Sequence, residues 1–127
     1  MLGEWRLPWP TTTTNHAYAG VGSGRLRKTA NAASWQFGAM AIVRTARVAV
    51  PKQTRLMMTV WQHPPKGWHG DTDGMHKLIQ DAVCQGLGIN DYWISEIHMY
   101  REQPVDEPCV LVRLGLTTVR SERTPAS

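Results

Sequence analysis

The chain has 127 residues, 42% of them hydrophobic and 19% charged, with a net charge of +4. That is one domain's worth of sequence, able to bury roughly two thirds of the surface it would expose unfolded. No apolar run approaches the roughly 18 residues of a membrane span, and the start is rich in Trp and Pro where a signal peptide would be apolar. Cys84 and Cys109 stand in no paired motif, so each reads as a small packed hydrophobe. These features predict a soluble, reduced, cytoplasmic protein with no membrane partner. The charge is divided unevenly. Residues 1–60 carry eight bases against Glu4 alone, a balance of +7, while residues 61–127 carry six bases against nine acids, a balance of −3. A basic half beside an acidic cluster suits a nuclease, which attracts phosphates overall and concentrates carboxylates where metal neutralises them.

In chain order, Gly3 to Leu7 predicts a first strand, ended by Pro8-Trp9-Pro10 because proline cannot donate to a ladder. A long loop follows, with four threonines from Thr11, glycines at 20, 22 and 24, and then Arg25, Arg27 and Lys28. From Asn31 to about Arg47, Trp35, Ala39, Ile42 and Ala46 recur at helical spacing, and Pro51 closes the segment. Thr54 to Gln62 alternates as a strand, with Leu56, Met58 and Val60 on one face and Met57, Thr59 and Trp61 on the other. Met75, Leu78, Ile79, Ala82 and Val83 form the stripe of an amphipathic helix over about 74–87, with Gly86 and Gly88 as stop signals. Tyr92 to Arg101 and Pro108 to Val119 read as two strands in a hairpin-like arrangement joined by the acidic turn 102–107, before a frayed tail from about 120. The order β-α-β-α-β-β predicts a single α+β domain, a small mixed sheet with two main helices covering one face.

Asp71 and Asp73 sit where a loop gives way to the second helix. Carboxylates near unpaired helix amides stay ionised and suit a hard cation such as Mg²⁺. Lys77, one turn beyond Asp73, lies on the same side and could meet a scissile phosphate or simply pair with Asp73. The plainer reading makes Asp73 an ordinary N-cap, Asp73 with Lys77 an ordinary i,i+4 pair, and Asn90-Asp91 a turn. Spacing alone does not choose between them.

The wider pattern does. Leu7-Pro8-Trp9-Pro10, then Asn15-His16-Ala17-Tyr18, Asp71-Thr72-Asp73 with Lys77 and Asp81, and Gly86 and Asp91 before a strand, resemble in order and approximate spacing the RusA family of phage and prophage Holliday junction resolvases. The resemblance spans most of the chain. It implies a homodimeric, Mg²⁺-dependent endonuclease (Mn²⁺ a possible substitute) that nicks four-way and branched DNA in pairs during recombination and repair. It implies further that Asp71, Asp73 and Asp91 are the metal-binding aspartates and Lys77 the essential lysine. Gly74 stands where the family usually has asparagine, so two alternatives are carried: a junction-binding protein with weak or no cleavage, and a less selective Mg²⁺-dependent DNA nuclease.

The glycine-rich stretch from Ala19 to Arg25 follows no apolar strand and lacks a GK[ST] ending, so no nucleotide cofactor is predicted. A DNA-contacting loop suits Arg25, Arg27 and Lys28 better. Lys66, Trp68 and His69 precede the aspartates and are the remaining candidates for DNA contact. Trp68 could wedge a junction open, or pack its loop onto the core. The histidines lack zinc-ligand spacing. A helix over 74–87 is about 20 Å long, so Asp91 beyond its far end is expected to complete the site of a partner subunit in trans.

Overall fold

The first strand already shows how the sheet is built. In a computed structural model that describes residues 1–10, 18–20, 26–28, 30–70 and 75–117, β1 (Gly3–Pro8) alternates buried and exposed residues along its whole length. Leu7 and Trp5 turn inward while Glu4 and Arg6 stay in water. The remaining elements are β2 (Tyr18–Gly20), β3 (Leu26–Lys28), α1 (Ala30–Thr45), β4 (Leu56–His63), α2 (His76–Leu87), a 3-10 turn at Asp91–Trp93, β5 (Ile94–Arg101) and β6 (Cys109–Leu116).

Four strands form one mixed sheet in the order β1-β6-β4-β5, and β2 and β3 pair separately as a short antiparallel ribbon. β6 runs antiparallel to both β1 and β4, whereas β4 and β5 are parallel and joined through α2. The hairpin expected from the last two strands therefore does not form. The reason is a connection rule: β4 and β5 flank a helical crossover, which suits a parallel pair, and β6 then inserts on the other side of β4. The predicted long loop between β1 and α1 also contains the β2–β3 ribbon, whose three-residue strands are too short to leave an alternation signal.

Register sorts the residues into two faces. Trp5, Val112, Val60 and Met99 lie side by side across the sheet, as do Gly3, Leu114, Met58 and Ile97. These residues face α1 and α2 and join one core with Ala32, Trp35, Ala39, Val43, Leu78, Ile79, Ala82 and Val83. The stripe predicted for α2 is buried in full. That of α1 is rotated: Ala32, Trp35, Gln36, Ala39 and Val43 point inward, Ile42 is 39% exposed, and Ala46 lies past the helix end. With apolar residues on every side, that helix offers no unique stripe to the eye.

Gly86 and Gly88 do different work. Gly88 is the helix cap, left-handed at φ 71°, with its N–H on the carbonyls of Cys84 and Gln85. Gly86 lies inside α2, not at its end. A Cβ there would stand 2.8 Å from Val43 Cβ and 3.0 Å from the Met40 carbonyl oxygen. The glycine is therefore a close-crossing point between the two helices.

Candidate functional site

Both parallel strands end on the same side of the molecule, and the loop from residue 64 leaves β4 there. In open sheets with helical crossovers, the carboxyl ends of parallel strands are where ligands are commonly held. That loop is tied down at several points. Trp68 packs edge-to-face with Trp9 at 5.2 Å between ring centroids, and the Arg101 guanidinium lies 4.7 Å over its ring. Arg101 also donates from Nη2 to the Trp68 carbonyl oxygen at 2.9 Å. Gly70 permits the arrangement, since a Cβ at that position would overlap the Trp68 indole. The Trp35 indole N–H donates to the Pro8 carbonyl at 2.9 Å, which fastens the Leu7-Pro8-Trp9-Pro10 motif to α1. Trp68 thus belongs to a packed cluster. Arg101 and Trp9, its partners, were not among the candidates: Arg101 is 33 residues away in sequence, so nothing local marks the pairing.

Asp71 and Asp73 lie outside the described residues, as does Arg25. Helix α2 starts at His76, two residues later than the predicted start, and Met75 occupies its cap with no side-chain hydrogen bond. Lys77 is exposed in the first turn of α2. Arg27 and Lys28 lie on β3. His69 is exposed, and Lys66 pairs with Asp106 of the acidic turn at 3.0 Å.

Asp91 opens the 3-10 turn and is exposed. Asn90 shapes this return, its side-chain oxygen accepting from the Tyr92 N–H at 2.9 Å, and the strand expected from Tyr92 consequently begins at Ile94. The Ile89 N–H donates to the Cys84 carbonyl at 3.0 Å, so the chain folds back along the last turn of α2. The electrostatics agree. Burial first, then the carboxylates of Asp91 and Asp81, together push the Cys84 thiol up to about 12. Asp91 and Asp81 therefore share the neighbourhood of one buried thiol. In the sequence Asp81 is marked only by the family resemblance. Seven residues of helix separate Cys84 from Lys77, about 10 Å of axial rise. Asp91 sits at the end of α2 away from Lys77.

Among the described residues, no group of three or more His, Cys, Asp or Glu side chains is placed to hold a metal ion, and no helix is long and apolar enough to cross a membrane. Comparison with protein-family models gives no match, and comparison with curated proteins gives none.

Proposed function

We propose that the chain is a RusA-like Holliday junction resolvase, a homodimeric nuclease that hydrolyses one phosphodiester in each of two strands of a four-way DNA junction. The observation that carries the reading is the placement of Lys77. It stands exposed in the first turn of α2, the helix that leads from β4 to its parallel neighbour β5, four residues after Asp73 in sequence.

The donor set fits a hard divalent cation: Asp71, Asp73 and Asp91 offer carboxylate oxygens, and Asp91 is a close neighbour of Cys84 on α2. When bound, Mg²⁺ supplies polarisation of the phosphoryl oxygen and a water of lowered pKa. The chain's own residues do the rest. Lys77 would offset charge on the phosphate as it passes through its transition state, a role for which a flexible ammonium is suited. Arg27, Lys28 and His69 would contact backbone phosphates, with Arg25 beside them in sequence, so that recognition depends on shape and charge more than on base identity. Lys66 is already partnered by Asp106 and would contribute less. Trp68, sandwiched by Trp9 and Arg101, would hold the loop in place and not enter the junction.

The test compares a labelled four-way junction with a linear duplex of the same sequence, in Mg²⁺ and then in EDTA. Metal-dependent nicking of the junction in preference to the duplex is expected. Lys77→Met should lower the rate about 10²-fold or more while leaving junction binding in place. Binding without cutting would favour a junction-binding protein, and equal cutting of both substrates an unselective nuclease.

A further inference from the structure

The helices cover one face of the sheet; among the described residues no helix packs on the other. That open face carries an aromatic row. Arg6, Leu111, Trp61 and Tyr100 lie abreast on β1, β6, β4 and β5, and the next row is Glu4, Arg113, Thr59 and His98. Trp61 and Tyr100 are stacked, with ring centroids 6.2 Å apart and planes 20° from parallel. From the β6 side the Arg113 guanidinium lies 5.0 Å from the Trp61 ring centroid. Tyr100 remains 48% exposed. At the opposite edge is a groove of about 370 Å³ lined by Arg6, His63, Val105, Glu107, Cys109 and Leu111.

We propose that this face joins two copies of the chain, sheet to sheet, about a two-fold axis parallel to the strands. Such an axis lays the β5 edge of each copy over the β1–β6 edge of the other. Tyr100 of one copy then meets the groove beside Arg6 and Leu111 of its partner copy, and the reverse contact forms by symmetry.

Three observations choose a second copy over other occupants. First, the face is electrically self-contained. Arg113 donates twice to Glu4, at 3.0 and 2.8 Å, Arg6 is 3.9 Å from Glu107, and Glu96 holds His98 at 2.6 Å. A polyanion finds little unpaired positive charge there. Second, both sides of the Trp61 ring are occupied, by Arg113 and Tyr100, so a nucleobase has no free indole surface on which to stack. What the row presents outward is edges, which suit packing against another side-chain layer. Third, the area comes near what a specific interface needs. Four strands about 4.8 Å apart and about seven residues long give a footprint of roughly 440 Å² before side-chain relief is counted. A specific interface needs about 500 Å² from each partner, and aromatic residues with Arg and Met at the centre are its usual composition.

This inference rests on the dimer proposed above and adds its geometry. Both copies would direct the carboxyl ends of β4 and β5 toward the same end of the dimer. Its test reads mass and proximity, so loss of cleavage and loss of dimerisation are separable results. Sedimentation of the full chain at micromolar concentration should give a dimer. Tyr100→Glu should weaken self-association at least about 30-fold with unchanged circular dichroism. In a Cys109→Ser background, Arg6→Cys chains mixed with Tyr100→Cys chains should be joined by a short bismaleimide, and neither variant should cross-link alone. A monomeric wild type, a Tyr100→Glu dimer of undiminished strength, or no cross-link specific to the mixture would each overturn the proposal. If Tyr100→Glu instead lowers junction binding and leaves the dimer intact, the face belongs to DNA and the proposal is likewise wrong.

Discussion

At the scale of single residues, Cys84 is a reporter for the acidic side of α2. Its thiol is buried at 3% exposure and pushed up to about 12 from 9.0, because burial disfavours the thiolate and Asp91 and Asp81 repel it. In the unfolded chain the same thiol ionises near its ordinary value. Below about pH 9 both states hold the proton, and its stabilising contribution is fully present. Between about pH 9 and 12 the unfolded state releases the proton and the native state keeps it, so stability falls as pH rises, by at most about 1.4 kcal/mol per pH unit. Thermal melts from pH 7 to 10.5 should show a shallower alkaline decline for Cys84→Ala than for wild type. Parallel curves would mean that Cys84 ionises as easily folded as unfolded. The family motif named Asp91 as a site residue, but its position beside a buried thiol came from the turn made by Gly88, Ile89 and Asn90.

Between elements, the crossing of α1 and α2 depends on one missing side chain. Alanine is a better helix former than glycine by about 1 kcal/mol, so an exposed helical glycine replaced by alanine should stabilise. At Gly86 the opposite is expected, because the new Cβ would press on Val43 and on the Met40 backbone oxygen. Gly86→Ala should cost about 1–3 kcal/mol by forcing the helices apart, measured as a melting temperature lower by several degrees. Gly38, which faces open space on α1, is the matched control and should rise or stay level when made alanine. Strand β4 and helix α2 were legible from periodicity, since Leu56, Met58 and Val60 alternate and Met75 to Val83 follow the helical repeat, but the parallel pairing of β4 with β5 was not. The neighbours of β6 were not legible. An alternating strand fits either side of another strand, and only the shared core decides which.

For the whole molecule, the question is which residues one site can gather. Remoteness of Asp91 from the helix start suggested a site shared between subunits. A sheet-to-sheet dimer argues otherwise, because it leaves the α1–α2 layers outermost, with two sheets between the Asp91 of one copy and the α2 of the other. Mixing Asp71→Asn with Asp91→Asn subunits should then recover no nicking, because neither copy would present its Asp91 to the α2 of the other. Recovery would require the helical layers of two copies to meet, and would count against the open sheet face as the interface. The acidic turn bears on the same scale. Asp106 and Glu107 stand beside Lys66 and Arg6 at 3.0 and 3.9 Å in exposed contacts, the second of which joins the two halves into which the chain's charge divides.

The longer elements and the candidate chemistry are readable in the sequence: a helical or alternating repeat is written in the order of side chains, and so is Asp71-Thr72-Asp73 with Lys77, whereas the short strands β2 and β3 leave no such mark. Tertiary structure decided the rest. It inserted β6 beside β4, placed Trp9 and Arg101 around Trp68, folded Asp91 back beside Cys84, and, among the described residues, left one sheet face without helices. Each of these joins residues far apart in the chain, and such contacts are chosen by packing and hydrogen bonding of the whole core, for which no local run of residues carries a signal.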